Sequence, residues 1–237
     1  MAFLTIKDLV FCQSNWRLEI DAHIEKNSCT AVIGRSGAGK STLLSLIAGF
    51  ETPESGDIVI DEKNVTQLVP ASRPVTMLFQ ENNLFAHLTI WRNIGLGINP
   101  GLKLSKNEKD QINEAIATVG LEGLEERLPG KVSGGERQRA ALARCICQNR
   151  PIWLLDEPFN SLDPALRQEM GGLVDQLRRD HQLTVLLVSH NPQEAAEISE
   201  DALFLENGRI FEHGKLEDLL EQPATPELNT YLTQPHK

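Results

Sequence analysis

The chain has 237 residues, with 23 Lys and Arg against 33 Asp and Glu, a formal net charge of −10, and 41% hydrophobic and 24% charged residues. That is the balance of a soluble globular chain with a sizeable core, and its acidity argues against a broad nucleic-acid surface or a polybasic membrane footprint, both of which need clustered Lys and Arg. Its longest apolar runs, such as residues 185–188, fall far short of the roughly 18 needed to cross a bilayer, no signal peptide is visible, and the four cysteines show no C-x-x-C spacing; the expectation is a cytoplasmic protein with free buried thiols and no zinc site.

No repeat, low-complexity tract or long Gly/Ser linker interrupts the chain, so any division into domains is expected by insertion. Residues 3–6 and 16–24 alternate as half-buried strands, and residues 29–33 form a continuous apolar run of the kind buried on both faces in a parallel sheet, ending at Gly34. From Lys40 the pattern turns helical through Leu43, Leu44, Leu46, Ile47 and Ala48, with Gly49 placed to end the helix. Residues 58–60 and 75–79 read as further strands, the second ending at Gln80. A different texture runs from about 83 to 148. Ser105 and Glu108 have capping-box spacing, and Ile112, Ala115, Ile116 and Val119 then mark an amphipathic helix. A second helix starts near Ser133 and runs until Pro151 forbids its continuation. Two buried strands follow, residues 152–155 and 184–188, separated by a helix carrying Leu166, Met170, Leu173, Val174 and Leu177. The pattern predicts an α/β sheet interrupted by a helical insert.

The run Gly34-Arg35-Ser36-Gly37-Ala38-Gly39-Lys40-Ser41 has the spacing G-x-x-x-x-G-K-[ST] between a buried strand and a helix, with Thr42 next in line. Glycines let backbone N–H groups close around phosphate oxygens at the positive end of a helix dipole. Lys40 is placed for the β- and γ-phosphates and the Ser41 hydroxyl for Mg²⁺. Downstream, residues 152–155 deliver Asp156 and Glu157 to a strand's C-terminal end, where α/β folds hold ligands. Asp156 is suited to holding Mg²⁺ through water and Glu157 to polarising an attacking water, so the expected reaction is hydrolysis.

Between these motifs lies Val132-Ser133-Gly134-Gly135-Glu136-Arg137-Gln138. Ser133 is a natural N-cap and Glu136 completes its capping box, leaving N–H groups and two glycines to face an anion. In this order the motifs resemble those of the ATP-binding-cassette family, with Val132 in place of the usual Leu and Glu136 in place of the usual Gln. The resemblance implies that Ser133, Gly134, Gly135 and Glu136 meet the γ-phosphate of ATP held by a partner subunit. Gln80 matches a glutamine that ligates Mg²⁺ and senses the transmembrane partner. Ser161-Leu162-Asp163 matches the D-loop that crosses the dimer interface, although Asp163-Pro164 is equally a good N-cap and N1 pair. His190 matches the switch histidine that contacts the γ-phosphate. An aromatic that stacks on adenine is also implied, and the spacing does not choose between Phe11 and Trp16.

The resemblance reaches from the first strands to about residue 215. It implies a RecA-like P-loop NTPase core with an antiparallel β-subdomain, formed by residues 1–82 and 149–237, and an α-helical subdomain at 83–148. It further implies ATP and Mg²⁺ as ligands and a head-to-tail homodimer closed by ATP and reopened by hydrolysis. Membrane-spanning permease subunits and a periplasmic substrate-binding protein would be its partners, at the cytoplasmic face of the bacterial inner membrane, with no nucleic acid involved. Residues 77–85, 93–97, 99–104 and 163–170 look like those of the ATP-binding subunits of thiamine importers, which implies uptake of thiamine or its phosphates; importers of other small solutes and a soluble assembly-type ATPase are the alternatives. Residues 82–98 would then dock a coupling helix of the channel, with Leu84, Phe85, Leu88, Ile90 and Trp91 each a candidate either to line the groove or to pack in the core.

Overall fold

A computed structural model describes residues 2–79, 83–160 and 162–233. The chain opens with β1 (Ala2–Gln13) and β2 (Trp16–Glu25), an antiparallel pair that buries Leu4, Ile6, Leu9 and Phe11 from one strand and Leu18, Ile20, Ala22 and Ile24 from the other. Both follow the period of two that puts alternate residues on one face. A register shift between Ile6 and Leu9 re-phases β1 halfway along, so one long strand replaces the short one expected at residues 3–6. β3 (Cys29–Ile33) is buried at every position and leads through a glycine-rich turn into α1 (Lys40–Ala48), which ends on Gly49 in the left-handed region. β4 (Ser55–Ile60) and β5 (Lys63–Asn64) complete the antiparallel layer, and β6 (Val75–Leu78) begins the return to the centre.

Three helices follow: α2 (Ile90–Gly95), α3 (Lys106–Thr118) and α4 (Gly134–Gln148). Ile90, Ile94, Ile112, Ile116, Val119, Ala140 and Ala143 form a core of their own between them. Both expected capping boxes are present, and α4 stops at Asn149 in the left-handed conformation (φ 49), two residues ahead of Pro151. Then come β7 (Ile152–Asp156), α5 (Pro164–Asp180), β8 (Thr184–Val188), α6 (Pro192–Ala196), β9 (Asp201–Glu206), β10 (Arg209–Lys215), α7 (Leu216–Glu221) and α8 (Pro226–Thr233). The strands form one sheet in the order β5-β4-β1-β2-β10-β9-β3-β8-β7-β6. From β9 to β6 it is parallel, and β10 joins that half to the antiparallel one. Because β3, β7 and β8 run parallel, their C-terminal ends open on one edge of the sheet. Among the described residues no helix is long and apolar enough to cross a membrane. Cys29 and Cys145 are buried free thiols, whereas Cys12 and Cys147 are partly exposed, a correction to the expectation that all four lie inside.

Arg73, only 2% exposed, ties these layers together. Its guanidinium donates to Leu46 O (2.7 Å) and Ile47 O (2.9 Å) at the C-terminal end of α1, and to Thr66 O (2.7 Å) and Leu68 O (2.9 Å) in the loop that precedes β6. A cation at a helix C-terminus is favourable, and here it also satisfies carbonyls that water does not reach. Arg73→Met keeps much of the volume but leaves four carbonyls without this donor; the expected loss of stability is about 3 kcal/mol. Urea denaturation of the two proteins measures it, and a loss below about 1 kcal/mol would contradict the assigned role.

Candidate functional site

β3 delivers Gly34 to the open edge of the sheet, and the loop from there to α1 depends on two glycines. A Cβ on Gly34 (φ +148) would fall 1.9 Å from Leu205 O, and one on Gly39 (φ +110) would fall 2.7 Å from the Trp16 ring. The loop therefore packs against β9 on one side and an indole on the other. Lys40, the first residue of α1, is 5% exposed and folds back under the loop to donate from Nζ to Gly34 O (2.8 Å) and Arg35 O (3.0 Å). Burial lowers its pKa, opposed by the carboxylates of Glu157, Asp156 and Glu206.

Two strands away, β7 brings Asp156 within reach of the same loop. The Ser41 hydroxyl donates to Asp156 Oδ1 at 3.0 Å. Burial raises the Asp156 pKa first of all, the Ser41 hydrogen bond lowers it, and neighbouring Glu157 raises it again. Glu157 adopts φ 46, an uncommon conformation for a residue with a side chain, and is pinned there by its N–H to Val188 O at 3.2 Å. Its carboxylate accepts from Asn160 Nδ2 at 2.9 Å and lies 3.7 Å from His190 Nδ1. The meeting of Glu157 and His190 follows from register, since Asp156 pairs with Val188 across the parallel β7–β8 ladder. Trp16, residues Ser36, Gly37 and Gly39 to Thr42 of the loop, and Glu157 line a cleft of about 490 Å³.

Of the two aromatics left open by spacing, Trp16 lines this cleft, whereas Phe11 is 7% exposed and belongs to the core beneath β1. The residues Ser133, Gly134, Gly135 and Glu136 open α4 and do not line this cleft. There Ser133 Oγ accepts the Glu136 N–H (3.2 Å), and a Glu136 carboxylate oxygen accepts the Ser133 N–H (2.6 Å). Those hydrogen bonds from Ser133 hold the Glu136 carboxyl below its usual range. Gly135 sits where a Cβ would fall 2.7 Å from the Leu166 side chain, so α4 and α5 touch closely.

Asp163 caps α5, its Oδ1 accepting the Leu166 N–H at 3.0 Å with Pro164 following, which realises the capping role. Gln80 and Ser161 lie outside the described residues. Gln138 was not singled out in the sequence: it is 2% exposed and donates from Nε2 to Pro158 O at 2.6 Å, tying α4 to the residue after Glu157. Flanked by Glu136, Arg137 and Arg139, it carries no local sign in the sequence that it is buried.

A second concavity of about 650 Å³ opens between the core and the helical layer, walled by Phe50, Phe79, Phe85, Ile98, Arg144 and Arg150. Of the five apolar candidates to line a groove, only Phe85 does so. Ile90 is 1% exposed in the helical core, and Leu84 and Trp91 pack against that same core. The Trp91 indole is further fixed by donating to Asn113 Oδ1 at 2.9 Å.

The family model described as ABC transporter matches residues 18–160. The chain is similar to the thiamine import ATP-binding protein ThiQ of Aliivibrio fischeri, 49% identical over 214 residues that cover 90% of this chain and 92% of the relative. In three dimensions it resembles a nucleotide-free ATP-binding cassette from an ABC transporter, with a TM-score of 0.88 at 22% identity over 97% of this chain and 99% of that one. It also resembles an ATP-binding cassette solved as a dimer in a post-hydrolysis state bound to ADP and Pi, with a TM-score of 0.78 at 26% identity over 90% of this chain and 98% of that one.

Proposed function

The chain belongs to the ABC transporter family, and from that premise we propose that it is the ATP-hydrolysing subunit of a thiamine importer. It works as a head-to-tail dimer at the cytoplasmic face of the bacterial inner membrane, with permease subunits in the membrane and a binding protein in the periplasm. The observation that carries the reading is the convergence of Lys40, Ser41 and Glu157 on one cleft, with Asp156 hydrogen-bonded to Ser41, in a chain 49% identical to a thiamine import ATP-binding protein.

The chemistry follows from the donors present. Backbone N–H groups of the loop and the Lys40 ammonium bind the β- and γ-phosphates of ATP, while Trp16 offers a flat apolar face for the base. Ser41 Oγ and Asp156 Oδ1, 3.0 Å apart, supply hard oxygens of the kind Mg²⁺ takes alongside phosphates and water, and Gln80 is a further candidate ligand. Mg²⁺ held there would supply positive charge to offset that of the phosphates. Glu157 orients the attacking water and accepts its proton; Asn160 fixes the carboxylate and His190 stands beside it, toward the γ-phosphate. The cleft on one subunit holds no part of Ser133, Gly134 or Gly135. A second copy must bring the N-terminal end of its α4 to the γ-phosphate, and Asp163 lies in the segment assigned to the same interface. ATP binding then favours the closed dimer, hydrolysis releases it, and closure drives the permease through a short helix seated against Phe50, Phe79 and Phe85, with residues 83–148 moving as the helical subdomain.

Glu136 introduces a negative charge at the helix end that must meet the γ-phosphate. Its carboxylate is spent on the Ser133 N–H, yet its charge still opposes an approaching anion. In a Glu157→Gln background, Glu136→Gln is expected to lower the ATP concentration for half-maximal dimerisation by about twofold to fivefold at low salt, and by less at high salt. Light scattering across an ATP titration measures this, and an unchanged or higher requirement rejects it.

The function is tested by purification from native membranes. The chain is expected to carry a membrane-spanning subunit with it, and its ATPase to rise when thiamine-loaded binding protein is added. Recovery with soluble assembly factors in place of a membrane subunit would sink the importer reading.

A further inference from the structure

The single tyrosine of the chain occupies an unexpected place. Tyr231 lies on α8 and is 3% exposed, its ring 5.4 Å from that of Phe204 on β9. It shares a cluster with Ile33, the residue before Gly34, and with Ala195 on α6, the helix that follows His190. Its hydroxyl donates to the backbone carbonyl of His190 at 3.1 Å. One hydroxyl on α8 therefore reaches the histidine beside Glu157 from a cluster that includes the residue before the phosphate loop. Burial pushes the phenol up to about 12, so it stays protonated and able to donate through the physiological range.

The surroundings of His190 explain why such a brace matters. β8 ends at Val188, and the turn that follows is organised by Ser189, whose hydroxyl donates to Asn191 O (3.0 Å) and accepts the Asn191 N–H (3.1 Å). Those contacts shape the turn locally but do not set where it sits relative to the phosphate loop. The Ser189 N–H ties the turn to Val32 O of β3 (3.3 Å), and the Tyr231 hydroxyl adds a side-chain tie at His190 itself, across 41 residues of sequence. The His190 ring in turn lies 3.7 Å from the Glu157 carboxylate.

We propose that Tyr231 is a positioning residue for ATP hydrolysis: through the His190 carbonyl it holds the imidazole in register with Glu157 and the phosphate loop, making α8 a brace on the hydrolytic site. The inference rests on the role assigned above to His190. A hydroxyl that merely satisfied a buried carbonyl would matter for stability alone. A positioning hydroxyl matters for turnover, and only while the His190 side chain is there to be positioned.

The test is steady-state ATP hydrolysis by the full-length chain, alone and with its permease, as wild type, Tyr231→Phe, His190→Ala and the double variant. Tyr231→Phe is expected to lower kcat about fivefold with KM for ATP within about twofold, the effect of one lost hydrogen bond expressed in the transition state. In the His190→Ala background the same change is expected to lower kcat no further. An unchanged kcat in Tyr231→Phe overturns the inference, as does an equal fall in both backgrounds. Should His190→Ala itself leave kcat untouched, the role of His190 fails and the inference falls with it, whereas a fall in His190→Ala without one in Tyr231→Phe defeats the inference alone. Should Tyr231→Phe not fold, the lone tyrosine permits a second measurement. With 3-fluorotyrosine in its place, the ¹⁹F resonance is expected to shift when ATP and Mg²⁺ are added to the Glu157→Gln protein, and a stationary line overturns the coupling.

Discussion

Glu157→Gln is expected to cut ATP turnover by about 10²- to 10⁴-fold while leaving ATP binding in place, so that the variant accumulates as an ATP-bound dimer. An amide has nearly the shape of the carboxylate and, like Glu, must occupy the left-handed backbone conformation held by the bond to Val188 O. It cannot take a proton from water. Lys40 keeps its contacts to Gly34 O and Arg35 O, and the Ser41–Asp156 pair is untouched, so phosphate binding persists. Single-turnover hydrolysis together with light scattering resolves the two parts of the expectation. Normal turnover would remove Glu157 from its assigned role. Failure to bind ATP would mean that the carboxylate supports the loop rather than the water.

Lys40→Ala has the second large effect, and it falls on binding. The ammonium is buried beneath the phosphate loop, surrounded by two backbone carbonyls and three carboxylates that oppose the effect of burial on it. Removing it deletes a charge-assisted contact to phosphate and leaves Asp156 and Glu157 uncompensated beside an incoming polyanion. Affinity for ATP is expected to fall on the order of 100-fold or more. Trp16, which lines the cleft, provides the fluorescence for the titration. Affinity within threefold of wild type would show that the backbone cradle alone holds the phosphates.

What could be read from the amino-acid order was mostly what is encoded locally. The phosphate loop, the Asp156-Glu157 pair and both capping boxes each lie within eight consecutive residues flanked by an element whose periodicity is plain, and each stands where expected. That Trp16 and not Phe11 lines the cleft depends on the path of β1, whose re-phasing at the register shift leaves Phe11 in the core, paired with Leu18. The sequence left residues 84–91 open between groove and core for a related reason: an apolar residue announces burial without saying against what, and Ile90 packs into the core with α3 and α4. Gln138, Arg73 and Tyr231 act on partners 20, 26 and 41 residues away, beyond the reach of any helical or strand period. The β9–β10 hairpin also has a local signal: Asn207-Gly208, with φ 48 and φ 76, is the turn dipeptide that right-twisted strands favour.

In the proposed mechanism the acidic balance of the chain is compatible with a polyanionic substrate, because backbone dipoles and one buried ammonium, not a basic surface, would meet the phosphates. The proposed mechanism also limits what one copy can do, since Ser133, Gly134 and Gly135 do not line the cleft. Transport is therefore the readout that engages every part at once. Uptake of labelled thiamine by cells lacking this chain is expected to be lost, to return with the wild-type chain, and to stay absent with Glu157→Gln. Undiminished thiamine uptake without the chain, or full rescue by Glu157→Gln, would contradict it.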